Sequence, residues 1–425
     1  MKMQNSVAII GLGYIGLPVA CLCAIYGYKV YGADIDKNKI DLIKKGTCPI
    51  KDDYLEDQFK KVKGKLNVTD NLKEAIKDAD IVIICVPTPV DKNYTPDLTA
   101  LRSATASVSE AMKENTLIII ESTIFPGTTE EIVLPILEES NVKNFYLAHC
   151  PERIDPGNKN FTLERIPRVI GGINKDSSIK AYKFYEKIIN AAIIELSSVK
   201  AAEATKIMEN TFRDINIAFI NEMAKSFDKA GIDIMEVIKG ANTKPFAFKA
   251  HYPGVGVGGH CIPIDPYYLI SKAKQIGFDH DFLILARKIN ESMPVYTVEL
   301  LENKLKKLDE SIEGAKIGVL GLTYKADVDD VRESPALKVI DILKEKKAEL
   351  FIFDPYVKEK SNVKDLNELL EKSDYIILVT DHKEFKNMDL DKLKENKIKI
   401  IIDGRNCLDK EKIKGLKIDY HGIGR

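Results

Sequence analysis

One cysteine, Cys261, lies in a loop that is rich in glycine and proline. Between Pro253 and Pro266 the sequence holds four glycines and three prolines, and Asp265 follows the cysteine by four residues. Prolines restrict the backbone, whereas glycines let it approach a ligand closely. A thiol in this setting is a candidate nucleophile. Because the chain also opens with a glycine-rich turn, the pattern predicts oxidation through a covalent intermediate.

Two other interpretations of Cys261 fit its surroundings less well. A buried, unreactive thiol is the usual state of cysteines in apolar runs. The cysteines with that setting are Cys21, Cys23, Cys85 and Cys150. Zinc binding is the second alternative, because His149-Cys150 and His260-Cys261 are adjacent pairs. Neighbouring side chains diverge, however, and neither pair has a spacing typical of zinc ligands, so we expect no metal.

The amino-terminal turn has the pattern of a dinucleotide-binding unit. An apolar strand at 7–10 is followed by Gly11-x-Gly13-x-x-Gly16, a helical stretch, a second strand and Asp34. In such units the first glycine permits the turn, the second lets the backbone approach the pyrophosphate and the third allows close helix packing. The helix start adds amide donors and a positive dipole. We expect Asp34 to accept ribose hydroxyls and repel a 2′-phosphate, which favours NAD over NADP.

Composition excludes several classes of protein. The 425 residues have a formal net charge of -1, so no global field attracts nucleic acid or an anionic membrane. The length suggests about two to four domains. The uncharged stretch at 7–26 has the length of a membrane span, but its strand-turn-helix pattern favours a buried unit. Seven cysteines without framework spacing indicate a reducing compartment, and we expect a cytoplasmic protein.

Apolar strand patterns alternate with helical ones in the first half of the chain. Strands are predicted at 7–10, 29–33, 80–86, 116–121, 145–148 and 169–170, with helices that include 99–113 and 128–139. The alternation predicts a parallel, doubly wound sheet. Ligands of such sheets bind beyond the carboxyl ends of strands, where Pro87-Thr88-Pro89, Ser122-Thr123 and Pro151-Glu152-Arg153 lie. Ordinary loop chemistry is the alternative for each motif alone.

A long helix is predicted from Ser197 to about Ala230. Ser197 and Ser198 are candidate caps at its start, and Gly231 closes it. Polar side chains recur on one stripe at steps of three and four residues. The stripe comprises Glu203, Lys206, Asn210, and Arg213 or Asp214. A solvated face with an ion pair between Glu203 and Lys206 is the ordinary explanation of such a stripe.

A second unit of similar pattern begins at 316–322 and continues through a strand at 348–353 that ends at Asp354. Strands at 375–379 and 398–402 complete it, and the charged segment 301–313 is interpreted as its linker. The turn after its first strand holds an aromatic ring and two cations, in Tyr324, Lys325 and Arg332. This set would suit a nucleoside diphosphate. The predicted fold class is therefore α/β, with two Rossmann-like doubly wound domains joined by a helical central domain.

Taken together, these motifs resemble the UDP-glucose/GDP-mannose dehydrogenase family over essentially the whole chain. In the family's order they are Gly11-x-Gly13-Tyr14-x-Gly16, Val86-Pro87-Thr88-Pro89, Ser122-Thr123, Pro151-Glu152, Lys206-x-x-x-Asn210, Gly258-Gly259-His260-Cys261-x-Pro263-x-Asp265 and Asp330-x-Arg332-Glu333-Ser334-Pro335. The resemblance implies an NAD lobe at 1–196, a helical dimer core at 197–300 and a UDP lobe at 301–425. It also implies oxidation of the C6 alcohol of a nucleotide sugar to a carboxylate, with two NAD per turnover.

The resemblance assigns Cys261 as the nucleophile that forms a thiohemiacetal and then a thioester. Asp265 or Glu152 would activate the hydrolytic water, and Lys206 and Asn210 would stabilise the oxyanion. Thr123 would orient water or the nicotinamide. The residues implied for the cofactor are Gly11, Gly13, Tyr14, Ile15, Gly16, Asp34, Thr88 and Thr123. Those implied for the substrate are Glu152, Arg153, Ile154, Lys206, Asn210, Arg213, Gly258, Tyr324, Lys325 and Arg332.

Departures from the UDP-glucose pattern bear on the sugar. Ile264 stands where a lysine is usual, and Arg153 and Arg213 add guanidinium groups suited to an acetamido oxygen or a phosphate. These features resemble the branch that acts on UDP-N-acetylhexosamines. The segment 149–153 favours the N-acetylmannosamine epimer, whereas 152–157 and 261–265 also fit N-acetylglucosamine. UDP-glucose is the third choice.

Two other classes of protein stay open. A two-electron hydroxyacid dehydrogenase would share the NAD lobe, and a non-catalytic nucleotide sensor would share both lobes, but neither needs Cys261. The predicted partners are a UDP-N-acetylhexosamine substrate and further copies of the chain, in a homodimer or higher homo-oligomer. No nucleic-acid or membrane partner is expected, and the resemblance implies a role in polysaccharide biosynthesis.

Overall fold

The computed structural model describes residues 5–154 and 161–425. The chain forms two compact units, one that runs up to Glu209 and includes Tyr267–Phe278, and one made of Asn210–Pro266 and Asp279–Arg425. Asp155, Pro156 and Gly157 of the predicted substrate motif lie outside the described residues. The division into three domains after residues 196 and 300 stays a prediction.

The first unit is built on an eight-stranded sheet. Its strands are β1 Ser6–Ile10, β2 Lys29–Ala33, β3 Leu66–Thr69, β4 Ile81–Ile84, β5 Leu117–Ile120, β6 Tyr146–His149, β7 Arg168–Gly172 and β8 Ile193–Glu195. They are arranged in the order β3-β2-β1-β4-β5-β6-β7-β8. The order turns back at β1, whose neighbours are β2 and β4, and such a switch point is where doubly wound sheets bind their ligands.

Helices cover this sheet and bury its apolar strands. They are α1 Gly16–Ile25, α2 Lys37–Lys44, α3 Asp53–Lys61, α4 Leu72–Ile76, α5 Thr99–Ala111, α6 Leu134–Glu138 and α7 Lys175–Ile188. The uncharged amino-terminal stretch folds as β1 and α1, which pack in one buried core. No helix within 5–154 and 161–425 combines the length and the apolar character needed to cross a bilayer.

Two details of this unit differ from the predicted pattern. Strand β7 pairs antiparallel with β6 and parallel with β8, so β7 and β8 run opposite to the six strands before them. A parallel pair needs a crossover helix, but the described part of the connection holds only a short turn at Leu163–Arg165. The helix predicted at 128–139 is a π-helical turn, Thr129–Val133, followed by α6, whose Pro135 has no N–H for a regular helical hydrogen bond.

The predicted long helix is confirmed as α8, Val199–Ala230, with 32 residues. Ser198 accepts a hydrogen bond from the Ala201 backbone N–H at its start. Gly231, at a φ of +70°, ends it, and the next backbone N–H, that of Ile232, bonds back to the Phe227 carbonyl. This is the Schellman closure expected where glycine follows a helix.

The second unit holds a five-stranded parallel sheet. Its strands are β9 Lys316–Leu320, β10 Glu349–Phe353, β11 Tyr375–Leu378, β12 Ile400–Asp403 and β13 Asp419–Gly422, in the order β10-β9-β11-β12-β13. The remaining helices of the chain are α9 Ile234–Ala241, α10 Asp265–Gln275, α11 Asp281–Lys306, α12 Pro335–Glu345, α13 Leu366–Lys372, α14 Lys383–Lys386, α15 Asp391–Glu395 and α16 Lys410–Gly415. The two Rossmann-like α/β sheets confirm the predicted fold class.

The linker predicted at 301–313 is partly wrong. Residues up to Lys306 belong to α11, and Leu301 and Leu305 of this stretch are buried in the core of the second unit. The density of charge suggested a linker. The four-residue spacing of buried leucines is instead the pattern of a helix face.

Candidate active site

The glycine-rich turn after β1 has the geometry of a nucleotide-binding turn. Gly11 has a φ of +92°, and its N–H donates to the Ala33 carbonyl at 2.8 Å. A Cβ on Gly16 would overlap the Gly11 carbonyl oxygen, so α1 starts against the turn itself. A Cβ on Gly13 would meet no atom within 4 Å. The backbone at Gly13 therefore faces open space, as the approach of a pyrophosphate requires.

Asp34 follows β2, and its carboxylate holds this turn. Its Oδ2 accepts the Leu12 N–H at 2.8 Å and the Lys39 Nζ at 2.7 Å, and its Oδ1 accepts the Asp36 N–H. Burial raises the pKa of Asp34, but the hydrogen bonds from Lys39, Asp36 and Leu12 together outweigh it, and the net shift is downward. The carboxylate keeps lone pairs for ribose hydroxyls. The adjacent Lys39 cation weakens its repulsion of a 2′-phosphate, so the preference for NAD over NADP stays a prediction.

Three polar residues meet beyond the carboxyl ends of β4 and β5. Thr88 donates to the Thr123 carbonyl at 2.6 Å, and Lys206 of α8 donates to Thr123 Oγ1 at 2.6 Å. The Tyr268 hydroxyl donates to the Thr88 carbonyl. The two threonines predicted for the cofactor and the predicted catalytic lysine are therefore one hydrogen-bonded group. Of the other two residues predicted for the cofactor, Tyr14 is exposed and Ile15 packs on the core.

The solvated ion pair considered for Glu203 and Lys206 is wrong. Both side chains are buried, at 1% and 7% exposure. Glu203 instead accepts the backbone N–H groups of Gly127 at 2.5 Å and Thr129 at 2.7 Å. A carboxylate that accepts the free N–H groups at the start of a helical turn stabilises that turn. Glu203 therefore stabilises the turn at Gly127 and Thr129 and does not pair with Lys206, whose Nζ donates to Thr123.

Glu152 and its neighbours follow β6. Glu152 is buried, and its Oε1 accepts the backbone N–H groups of Arg153 at 2.7 Å and Ile154 at 2.8 Å. The Arg153 guanidinium makes two hydrogen bonds to Glu209, at 3.0 and 2.5 Å, and one to the Pro167 carbonyl at 2.9 Å. Its donors are therefore largely used within the chain, so the substrate contact predicted for Arg153 stays a prediction.

His149, at the end of β6, is enclosed. Burial and the nearby Lys206 lower its pKa to about 3, so the ring is neutral at physiological pH. Its Nδ1 has no hydrogen-bond partner within residues 5–154 and 161–425. In the same part of the chain, no three His, Cys, Asp or Glu side chains cluster as they would around a metal ion.

In the second unit, Cys261 is exposed and lies four residues before Asp265, the first residue of α10. Its carbonyl accepts the Ile264 and Asp265 N–H groups at 3.1 and 2.8 Å, which starts the helix. A helix start favours nearby negative charge, which suits a thiolate nucleophile. Asp265 is buried, and its Oδ2 accepts Asn210 Nδ2 at 2.6 Å. Two of the predicted catalytic residues are thus in direct contact.

The cysteine loop packs on the turn after β9. A Cβ on Gly258 would lie 2.7 Å from the Glu333 carbonyl oxygen and 2.8 Å from Tyr324 Cβ. Gly259, at a φ of +88°, lies against the Tyr324 ring, and its N–H donates to the Arg332 carbonyl at 3.1 Å. Only glycine fits so close to another backbone. The predicted catalytic loop and the predicted diphosphate turn are therefore neighbours.

The predicted substrate residues of this unit differ in their surroundings. The Arg332 side chain forms a two-point ion pair with Asp330, at 2.6 to 3.1 Å, and Lys325 lies in the same turn. Arg213 is exposed on α8, whereas Asp214 is buried and accepts Arg287 of α11 at 2.6 Å. Of the two residues considered for the end of the polar stripe on α8, Arg213 is therefore available to a ligand, whereas Asp214 forms a structural ion pair.

Sequence reasoning missed Arg405. It follows β12, its Nε donates to the Val379 carbonyl at 2.8 Å, and its Nη2 lies 3.3 Å from the Tyr324 carbonyl. A Cβ on Gly254 would lie 3.1 Å from its Nη1. Arg405 therefore places a third cation beside the turn that carries Tyr324, Lys325 and Arg332. The rule that ligand groups follow the carboxyl ends of strands, applied to β12, would have found it.

A dinucleotide turn, a lysine tied to the residues beside it, and a cysteine loop packed on a second Rossmann-like lobe define a nucleotide-dependent dehydrogenase. The chain matches the UDP-glucose/GDP-mannose dehydrogenase family in three segments: the NAD binding domain at 5–235, the central domain at 200–292 and the UDP binding domain at 318–410. The chain belongs to this family, and the predicted resemblance is confirmed.

Individual relatives are similar over the full length. A UDP-N-acetyl-D-mannosamine dehydrogenase of Pyrococcus horikoshii is 41% identical over 425 residues, 99% of either chain. A UDP-N-acetyl-D-glucosamine 6-dehydrogenase of Pseudomonas aeruginosa is 35% identical over 96% of this chain and 98% of that protein. The solved structure of the UDP-D-ManNAc dehydrogenase from Pyrococcus horikoshii superposes with a TM-score of 0.92, at 40% identity and 99% coverage of both chains.

Proposed function

We propose that this protein oxidises the C6 hydroxymethyl group of UDP-N-acetyl-D-mannosamine to the carboxylate, with two NAD per turnover and a covalent intermediate on Cys261. The observation that carries the proposal is the packing of the Gly258 to Cys261 loop on the Tyr324 turn. It puts a candidate nucleophile in the same unit as the cations suited to a diphosphate. Similarity over 99% of the chain to a mannosamine dehydrogenase supports the choice of sugar.

The residues of the first unit fit NAD. The open backbone at Gly13 and the start of α1 suit the pyrophosphate, and Asp34 suits the ribose hydroxyls. Tyr14, Ile15, Thr88 and Thr123 complete the proposed set. NAD, when bound, supplies the hydride acceptor for each of the two oxidations.

Side chains of the protein carry out the proton transfers, the covalent step and the hydrolysis. Lys206, held by Thr123, takes the hydroxyl proton of the alcohol and then stabilises the oxygen of the adduct. The Cys261 sulfur bonds to C6 of the aldehyde and gives a thiohemiacetal, which a second oxidation converts to a thioester. Water then adds to the thioester carbon, its proton passes to Glu152 or Asp265, and the bond from carbon to sulfur breaks. The products are the uronate and the regenerated thiol.

Asn210 has two amide protons, and only one is used by Asp265. We assign the other to the developing oxyanion, where one preorganised donor is typically worth about 3 to 4 kcal/mol. Lys325, Arg332 and Arg405 are the cations proposed for the diphosphate, with Tyr324 beside them. Arg153, Ile154, Arg213 and Gly258 are proposed to contact the sugar or its phosphates.

NADH release per sugar tests the function. The purified protein is incubated with excess NAD and a limiting amount of UDP-N-acetylmannosamine, UDP-N-acetylglucosamine, UDP-N-acetylgalactosamine or UDP-glucose. We expect two NADH to be released per UDP-N-acetylmannosamine. We also expect kcat/KM for each of the other three sugars to be at least about tenfold lower than kcat/KM for UDP-N-acetylmannosamine. One NADH per sugar would indicate a two-electron dehydrogenase. A preference for UDP-N-acetylglucosamine would support the alternative found in the Pseudomonas aeruginosa relative.

We further propose that the protein works as a cytoplasmic homodimer or higher homo-oligomer and that its uronate product serves polysaccharide biosynthesis. The long helix α8 and the seven cysteines without disulfide spacing support the first two points. Analytical ultracentrifugation tests the assembly, since a single monomer peak at micromolar concentration would contradict it.

A further inference from the structure

His382 is a fully buried histidine of the second unit. It lies between β11 and α14, and its side chain is 0% exposed. The Tyr356 ring stacks on its imidazole with the centroids 4.9 Å apart, and the Phe385 ring meets it edge-on at 5.5 Å. Polar groups in such surroundings are stable only when they have hydrogen-bond partners. The partners of the two ring nitrogens therefore indicate what the imidazole holds in place.

The two ring nitrogens of His382 face different groups. Nδ1 lies 2.9 Å from the backbone nitrogen of Asp327. Nε2 lies 3.0 Å from Asp354 Oδ2 and 3.1 Å from Thr323 Oγ1. Because a backbone N–H can only donate, Nδ1 must accept and carries no proton, so the proton of the neutral ring is on Nε2. The imidazole thus accepts from Asp327 and donates towards Asp354.

These contacts fix both ends of the turn at 323–327. At one end Thr323 Oγ1 lies against Nε2 and also donates to the Lys325 carbonyl at 2.9 Å. At the other end Nδ1 holds the N–H of Asp327, whose φ of +61° is uncommon for a residue with a side chain. Tyr324 and Lys325, which are proposed to meet the diphosphate, lie between the two ends. The imidazole therefore limits the conformations of the segment that carries them.

The carboxylate beside His382 has a counterpart in the first unit. Asp354 follows β10 as Asp34 follows β2, and each accepts the N–H of a leucine in the turn after the first strand, Leu322 at 2.7 Å and Leu12 at 2.8 Å. The same Oδ2 of Asp354 also accepts a second backbone N–H at 3.1 Å and His382 Nε2 at 3.0 Å. One carboxylate oxygen offers about two acceptor positions, so this oxygen is fully used by the chain. Ligand recognition in the second lobe therefore falls to the turn and not to Oδ2.

We propose that His382 is a positioning residue for the turn at 323–327: its Nδ1 accepts the Asp327 N–H and so holds Tyr324 and Lys325 in the arrangement that receives the diphosphate of the sugar nucleotide. The inference rests on the proposed function. Because the imidazole is buried, it acts through the turn and not by touching the substrate. Without the acceptor at Nδ1, the turn samples further conformations, and the fraction that is competent to bind falls.

Two substitutions separate the roles of the ring nitrogens. In His382→Asn the side-chain carbonyl can take the place of Nδ1 and accept the Asp327 N–H. In His382→Gln the amide N–H can take the place of Nε2 and keep the bond to Asp354, but the acceptor for Asp327 is lost. Calorimetric titration of the full chain with UDP gives the Kd. Steady-state NADH formation with UDP-N-acetylmannosamine gives KM and kcat.

Affinity should depend on the acceptor at Nδ1, and turnover should not. We expect the Kd of UDP and the KM of the sugar nucleotide to rise at least about tenfold in His382→Gln and less than about threefold in His382→Asn. We expect kcat to stay within about twofold of the wild type in both variants, because bound substrate itself holds the turn.

Two results would overturn the inference. One is wild-type affinity for UDP in His382→Gln. The other is an equal loss of affinity in both variants, which would indicate a general loss of packing around the imidazole. His421→Gln is the matched control: it removes a partly buried histidine of the same unit whose partner is Asp228, and it should leave the Kd of UDP unchanged.

Hydrogen exchange of the wild type keeps the inference testable if the variants do not fold. Without UDP, the Asp327 amide should already exchange at least about tenfold more slowly than an unstructured amide, as measured by mass spectrometry with fragmentation. Exchange at the unstructured rate until UDP is added would show that the ligand, and not His382, orders the turn.

The inference and the proposed function fail in different ways. If the wild type neither binds UDP nor oxidises UDP-N-acetylmannosamine, the proposed function is wrong. If the wild type does both and His382→Gln binds UDP equally well, only the role of His382 is wrong.

Discussion

Asn210 Nδ2 donates a hydrogen bond of 2.6 Å to Asp265 Oδ2, which ties the middle of α8 to the first residue of α10. The bond orients the amide, so that its second N–H has a fixed direction. It also orients the carboxylate that follows the cysteine loop. A single contact therefore sets the geometry of two residues predicted to act in catalysis.

Asn210→Asp should be more harmful than Asn210→Ala. The aspartate would place a second carboxylate against Asp265, and like charges at this distance force one of them to hold a proton. We expect Asn210→Ala to lower kcat by about 10- to 100-fold and Asn210→Asp by more, because an oxyanion donor is lost in both. Steady-state NADH formation measures the effect. An alanine variant with wild-type kcat would exclude Asn210 as a donor.

Cys261→Ala should abolish uronate formation and leave the fold intact. The side chain is exposed, so its loss should change the free energy of unfolding by no more than about 0.5 kcal/mol. Mass spectrometry of the reaction and a thermal melt provide the measurements. Cys48→Ser is the matched control, since the hydroxyl can keep the contact with the Ile50 carbonyl and activity should be unchanged. Uronate production by the alanine variant would disprove the covalent mechanism.

Gly13→Ala and Gly16→Ala should separate cofactor binding from folding. A methyl group at Gly13 meets no atom of the chain, so stability should be unchanged while the Kd of NAD rises at least about tenfold. At Gly16 the methyl group would overlap the Gly11 carbonyl, which should cost about 1 to 3 kcal/mol of stability. Calorimetric titration and thermal melts measure the two effects. Equal NAD affinity in Gly13→Ala would argue against a pyrophosphate at this turn.

Stability should depend on pH through Glu121. Its pKa in the folded protein, about 7, lies above its ordinary value of 4.5, mainly because burial disfavours the charge. The folded state then binds the proton more tightly, so this group's contribution to stability is full below about pH 4.5 and is lost as pH rises through 7. Relative to the wild type, Glu121→Gln should gain stability over this interval. Urea unfolding from pH 5 to about pH 8 measures the difference, and parallel curves would rule out the titration.

Arg405→Lys should weaken substrate binding more than turnover. A hydrogen bond to a charged group contributes about 1.5 to 3 kcal/mol, so loss of the planar donors should raise KM for the UDP-sugar by about 10- to 100-fold. If the contact is to the diphosphate, kcat should change little, because that part of the substrate does not react. Arg425→Lys is the control, since a lysine can keep the ion pair with Asp233. An unchanged KM would remove Arg405 from the binding site.

Local pattern predicted much of the fold. The extents of β2 and α8 were predicted within two residues, because apolar runs, a cap at Ser198 and Gly231 act over short distances along the chain. The antiparallel β7 and the helical end of α11 were not predicted. The direction of β7 depends on the path of the connection that leads back to the sheet. The end of α11 is rich in charged residues, so its sequence resembles a linker, and the burial of its apolar face is visible only in the folded protein.

The sequence by itself determined the residue types, namely a thiol in a glycine loop, a lysine and an amide on one helix, and a dinucleotide turn. Only the tertiary structure decided their partners: Lys206 with Thr123, Asn210 with Asp265, Gly259 with Tyr324, and Arg168 with Glu152. These pairs are separated by 16 to 83 positions along the chain. Their contacts arise from sheet order and close packing, which no spacing within one segment records.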